Sequence, residues 1–329
     1  VLSPYTFKLA ALSDKTKIIE FLDANWGEKH PLLHLEDMFE FYYASGDSLH
    51  FAYCEEEGKI VAAVGYILAN KSEAPDIWVS IWCAQKGKNG TGLELMSALP
   101  SLTGARVMAC NNIREKTMVF YSFLGYTAER LPHYYRLADK AEYKVARIAK
   151  KRIRPVQSGN TLVHIDSVEM LNRDYTPDKA LVPYKDLWYL ARRYFNYPRQ
   201  RYDVWGLYEN GKAAQLLVTR TSKVDDVNIL RIVDYIGKRS AITALGYGIN
   251  ELIISQNAEY ADMYCYGICP KTMAKAGFCE RVRDDENIIP NYLNPPLYEN
   301  TENFFFTSQN KGFTMFKADG DQDRPNITV

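Results

Sequence analysis

A chain of 329 residues that is 47% apolar can bury more than one core, and two domains are expected. Its 40 basic and 40 acidic side chains cancel, which argues against a dedicated nucleic-acid binder. No apolar run approaches ~18 residues, so no membrane-spanning helix is expected.

Six cysteines (Cys54, Cys83, Cys110, Cys265, Cys269 and Cys279) lie in or near apolar runs, and Cys265 and Cys269 have no partner pair at zinc spacing. They read as reduced thiols packed like small hydrophobes, with no metal, and the absence of a secretory signal before them sets the expectation of a cytoplasmic protein.

In chain order, residues 7–10 are expected to form a strand and 14–25 a helix, with Ile18, Ile19, Phe21 and Leu22 as its apolar face. A loop over 26–31 leads to a second helix at 35–43. Runs 49–54 and 60–68 flank Glu56-Glu57-Gly58-Lys59, a hairpin signature. The apolar, β-branched run 77–83 is a strand, 93–99 has helical character, 106–110 is a strand, and 114–123 is a helix ended by Gly125. Residues 134–138 are expected to close this first unit, which spans 1–139. The segment 140–159 carries seven basic residues and reads as a solvated linker.

Over 160–329 the order recurs. Strand 162–165 and helices 168–172 and 184–194 precede a second hairpin, 203–208 and 213–219, around Asn210-Gly211. Strand 229–236, helix 242–256, strand 262–266 and helix 271–276 then lead to Gly277-Phe278. From Gly58 to Gly125 is 67 residues, and from Gly211 to Gly277 is 66. Two copies of one α/β unit account for that match.

The copies differ at one turn. In the first, strand 77–83 runs through Gln85, Gly87, Lys88, Asn89, Gly90, Thr91 and Gly92 into a helix. Strand, glycine-rich turn and helix start can aim several backbone N–H groups at a phosphate, and the helix dipole favours the negative charge. The second copy has Gly237-Lys238-Arg239-Ser240, which is poorer in glycine. A Walker loop is excluded, because Gly87-Lys88 lacks the following Ser or Thr, and the Rossmann pattern is absent. A pyrophosphate cradle and a plain loop remain open.

Hairpin, long strand, glycine turn, helix, strand, helix and Gly-aromatic together resemble the GNAT acyltransferase superfamily. The match lies in Gly90-Thr91-Gly92, in Asn112 after a strand, and in Tyr121-Ser122-Phe123-Leu124-Gly125-Tyr126, and it covers about 7–138. Gly87 stands where that family has Arg or Gln, with Gln85 two residues earlier. The resemblance implies two tandem GNAT-like α/β domains with mixed sheets, the second degenerate, and acyl-coenzyme A held by the turn, Trp82, Cys83, Asn112 and Tyr121. It further implies an oxyanion donor at the backbone N–H of Trp82 or Cys83 and Tyr121 as acid toward the leaving sulfur. A covalent role for the Cys83 thiol is the sharper alternative to a buried structural one.

Whole, the chain resembles tandem-GNAT sugar N-acyltransferases of bacterial surface-polysaccharide pathways, 317–326 included. That implies a dTDP-linked 3-amino-3,6-dideoxyhexose as acceptor and 3-hydroxybutyryl-coenzyme A as donor. His30 and His34 are candidate bases, and Trp26 can stack on a sugar or base or be core. Asp234, Tyr235, Lys238 and Arg239 occupy the second copy's turn and could hold a diphosphate or be surface charge. Lys311, Asp319 and Arg324 are weaker candidates that a solvated tail explains as well. An aminoacyl or peptidoglycan-type tandem transferase and a non-catalytic coenzyme A binder stay open.

Overall fold

Both hairpins form where the turns demand them. Glu57 and Gly58 sit at φ 49° and 76°, and Asn210 and Gly211 at 51° and 79°, the paired left-handed conformation of a two-residue hairpin loop. In the computed structural model, which describes residues 5–26 and 29–327, these hairpins lie within two mixed sheets. Gly27 and Glu28 of the 26–31 loop, and the side chain of Asn89, lie outside the described residues.

The first sheet runs Phe7–Ala11, Ser48–Glu56, Lys59–Leu68, Asp76–Ala84, Val107–Ile113, Asn303–Thr307, Thr127–Leu131. Helix Lys15–Trp26 covers one face with Ile18, Phe21 and Leu22, and helix Asn89–Thr103 covers the other with Leu95, Met96 and Leu99. The second sheet runs Cys279–Arg281, His133–Leu137, Ala258–Tyr266, Val227–Ile236, Lys212–Val224, Asp203–Glu209, Val163–Ile165. No helix among the described residues is long and apolar enough to cross a membrane.

The expected closing strand of the first unit is a correction. His133–Leu137 pairs with Ala258–Tyr266 in the second sheet, with Tyr134 opposite Met263. In return Asn303–Thr307 inserts between Val107–Ile113 and Thr127–Leu131. Pro132 breaks the run, since it has no N–H for a ladder, and its carbonyl instead accepts the Cys265 N–H at 3.0 Å. Each sheet therefore contains a strand from the other half, and the division into 1–139 and 160–329 does not follow the sheets. The 140–159 segment is mostly exposed, but it docks on the second sheet. Val145 and Ala146 are buried, and the Glu259 carboxylate accepts the N–H groups of Lys144, Val145 and Ala146 at 2.5–3.0 Å. Its basic run masked those apolar residues.

Each sheet splits at the same place. Asp76–Ala84 and Val107–Ile113 pair only through Asp76↔Val107, Ile77↔Met108 and Trp78↔Ala109, then part. Val227–Ile236 and Ala258–Tyr266 pair as far as Ile232↔Met263. The second gap is filled by the chain itself: Met315 and Phe316 pair with Tyr266 and Cys265, and the Ala318 N–H donates to the Val233 carbonyl at 2.9 Å.

Beside that gap runs a buried ionic row. Arg231 grips Asp262 at 2.7 and 3.0 Å, and His133 Nε2 meets the same carboxylate at 3.1 Å while its ring stacks on Tyr264. Burial pushes His133 down to about 4, against the pull of Asp262. Burial alone would raise Asp262, but Arg231 and His133 hold its carboxyl well below the usual range. Burial also takes His50 down to about 4. All three folded values are depressed, so their stabilisation is complete above the unfolded values and is lost as pH falls. Denaturation midpoints should drop between pH 6.5 and 4, by roughly 1 kcal/mol per pH unit for each histidine. A midpoint constant over that range would show that these histidines are not buried neutral.

Candidate active site

The three turn glycines do different work. Gly87 sits at φ 86°, a left-handed conformation that reverses the chain after the strand. A Cβ on Gly92 would lie 2.9 Å from the Ala84 Cβ, so the helix start rests directly against the strand end, fastened by Trp82 Nε1 donating to the Gly92 carbonyl at 3.2 Å. A Cβ on Gly90 would meet nothing within 4 Å. The 15-residue helix Asn89–Thr103 has no side-chain N-cap and no acidic residue in its first turn. Its leading N–H groups thus have no side-chain cap and stand beside an exposed glycine, an arrangement that can take a pyrophosphate. Gln85 is exposed on the same turn, Thr91 is buried, and Lys88 is tied to Glu56 at 2.8 Å.

Backbone alternation sorts the oxyanion candidates. The Gln85 N–H donates to the Val61 carbonyl at 2.9 Å, and Cys83 stands opposite Ala63 in the same antiparallel ladder. Cys83 therefore turns its N–H toward that neighbour, while Trp82 and Ala84 turn theirs toward the split. Of the two expected donors, Trp82 has the geometry and Cys83 does not. Burial raises the Cys83 thiol, which opposes a thiolate nucleophile. Across the split, Tyr121 on helix Met118–Phe123 is buried, 6.1 Å from the Trp82 ring, and stacks at 4.1 Å on Phe306 of the exchanged strand. Burial, then Cys110, raises its hydroxyl far above neutrality, so it stays a proton donor.

Asn112, at φ 60° near the end of Val107–Ile113, is exposed and donates to Gln322 at 3.2 Å. It opens a cavity of about 800 Å³ between the halves that also takes in His30, Arg220, Arg231, Asn291 and Lys317. His30 Nδ1 accepts the Leu32 N–H at 3.3 Å, and Trp26 packs edge-on at 5.6 Å. Burial and the nearby Arg324 lower the His30 pKa, so its ring is neutral at pH 7. His34 instead pairs with Asp23 at 2.7 Å and is not on the cavity wall.

The second copy's turn residues are not brought to this cavity. Asp234 is buried on Lys185 at 2.6 and 2.7 Å and on Tyr194; the Tyr235 hydroxyl lies within hydrogen-bond distance of Gln215 and of the Lys238 carbonyl. Tyr235, Lys238 and Arg239 line a separate cavity of about 260 Å³. The C-terminal segment is wall rather than solvated tail: Asp319, Asp321 and Asp323 are buried on Lys185, Ser80 and Arg220. Arg220, Arg231, Asn291, Lys317 and Gln322 line the cavity unforeseen, and the only local signal is Asp at every second position of 319–323.

No family model matches the chain, and no curated protein sequence matches it. Among solved structures it is similar to a protein of Enterococcus faecalis V583 described as a conserved protein of unknown function and probable N-acyltransferase. The TM-score is 0.53 at 13% identity, over 93% of this chain and 72% of that one. It is also similar to a GCN5-related N-acetyltransferase from Anabaena variabilis ATCC 29413, with TM-score 0.52 at 10% identity, over 92% and 72%. What is shared at such identity is the fold: a mixed α/β architecture of two tandem GNAT-like units.

Proposed function

We propose that the chain is an N-acyltransferase that moves an acyl group from coenzyme A to the amino group of a nucleotide-linked amino-deoxysugar. The observation that carries the reading is the contrast between the two splits. One lies beside an uncapped, glycine-lined helix start, and the other is filled by residues 315–318. Two units with one such helix start suit one acyl donor. The 3-hydroxybutyryl group, the dTDP-linked 3-amino-3,6-dideoxyhexose and the role in surface-polysaccharide synthesis follow the family resemblance, and the cytoplasmic setting follows the cysteine pattern.

In this reading the N–H groups at Gly90 and Thr91 hold the donor's pyrophosphate. The acceptor amine forms the new C–N bond as the thioester C–S bond breaks. The Trp82 N–H donates to the carbonyl oxygen as charge develops, an interaction typically worth ~2.7–4 kcal/mol. His30 Nε2 takes the amine's proton, and Tyr121 gives one to the departing thiolate.

A thiol-release assay across acyl-coenzyme A donors and amino-sugar nucleotides tests the reaction; no release with any amino sugar ends this reading. His30 has its own signature. With an amine of pKa near ~8, log kcat/KM should fall with slope one on the acid side and steepen to slope two below the lowered His30 value. In His30→Gln the slope should stay at one and the rate drop about 100-fold. An unaltered profile in the variant would remove His30 from proton transfer.

A further inference from the structure

The charge on the interdomain cavity does not balance. Its wall carries Arg220, Lys223, Arg231, Lys317 and Arg324 against one carboxylate, Asp323. Arg220 is matched by Asp323, Arg231 by Asp262 behind the wall, and Arg324 by Asp321. Lys317 and Lys223 make no ion pair among the described residues. Lys317 is half-buried; its Nζ donates to Asn291 at 2.6 Å and stands 4.9 Å from the centre of the Tyr264 ring. With Asp323 and Asp262 already taken by Arg220 and Arg231, an ammonium group placed there is stabilised by an arriving anion. Lys223 is exposed and adds a second positive charge to the same wall, so the pair suits a doubly charged anion, and lysine serves phosphate as a point charge.

We propose that Lys317, with the exposed Lys223 on the same cavity wall, binds the phosphate groups of the acceptor. The identity of the acceptor rests on the transferase reading above; the anion site does not. This places the phosphates away from Lys238 and Arg239.

The groups facing Lys317 are Arg220 and Arg231 from two strands, Asp262 and Tyr264 from a third, and Asp323 from the C-terminal segment. Burial, then Arg231, pushes Lys317 down to about 7, whereas Asp262 and Asp323 are held low and Tyr264 is raised. Lys317 is thus the facing group that changes charge near neutrality, and a bound anion should favour its protonated form.

The test is calorimetric titration of inorganic pyrophosphate into the full chain saturated with coenzyme A. Wild type should bind, Lys317→Met should bind about ten- to a hundredfold more weakly, and Lys317→Arg should retain binding. Relative to Lys317→Met, wild-type affinity should decline from pH 6.5 to 8.5 as Lys317 loses its proton, and Lys317→Arg should show no such decline. Lys223→Gln, an exposed change that cannot unfold the core, should weaken binding severalfold, and coenzyme A affinity should be the same in every variant. Equal pyrophosphate affinity in wild type, Lys317→Met and Lys223→Gln, or none in wild type, overturns the proposal. So does a loss confined to coenzyme A affinity, which would assign the site to the donor. If coenzyme A does not bind at all, the transferase reading fails, while the pyrophosphate comparison still decides the anion site.

Discussion

Gly90→Asp is expected to weaken coenzyme A binding at least about 100-fold without lowering the melting temperature. The side chain has room, since nothing lies within 4 Å of its Cβ position, and Gly90 is not among the residues with positive φ. A carboxylate in the first turn of a helix is favourable to the helix itself. The loss is therefore specific: the new charge takes the space that the pyrophosphate needs and repels it at short range, and about 2.7 kcal/mol is enough for a hundredfold effect. Calorimetry with coenzyme A and a thermal melt separate the two readouts. Binding at the wild-type level would mean that the turn is not the cradle. Gly92 cannot be used this way, because its missing Cβ is what lets the helix touch Ala84.

Tyr121→Phe should lower kcat by about 100-fold or more with coenzyme A affinity nearly unchanged. The phenyl ring keeps the stack on Phe306 and the approach to Trp82, so the packing survives and only the hydroxyl is lost. Because the hydroxyl pKa is raised far above neutrality, wild type should show no basic limb from Tyr121 below pH ~10. A thiol leaving group with pKa near ~8.5 needs only modest protonation, which keeps the expected effect near the lower end for an acid catalyst. Full turnover in the variant would remove Tyr121 from the mechanism.

Features decided within a few residues were legible in the chain. Glu57-Gly58 and Asn210-Gly211 require left-handed backbone wherever they fall, and the 67- and 66-residue spacings follow from folding one unit twice. The glycine turn and Tyr121 were singled out by equally local patterns, and both border Trp82 in the structure. Strand partnership was not legible: His133–Leu137 and Asn303–Thr307 are aromatic runs that fit either sheet, and their own residues do not encode which neighbour they take. Charge was misread for a related reason. Asp234 resembles a ligand-handling residue until Lys185, 49 positions away, is seen against it. Lys317 and Arg220 converge only because the C-terminal segment threads between the halves.

The exchange of His133–Leu137 for Asn303–Thr307 sets the order in which the protein can be made. As the chain leaves the ribosome, Val107–Ile113 and Thr127–Leu131 have no strand between them until residue 307 emerges, so the first sheet waits with unpaired edges until the second half has been made. Pairings that span this much chain also form slowly. The same connectivity describes two single units that traded strands as a dimer and were later joined end to end, every contact being kept while partner became neighbour. Neither half can now be lent to another protein alone, since each would leave with a strand belonging to the other.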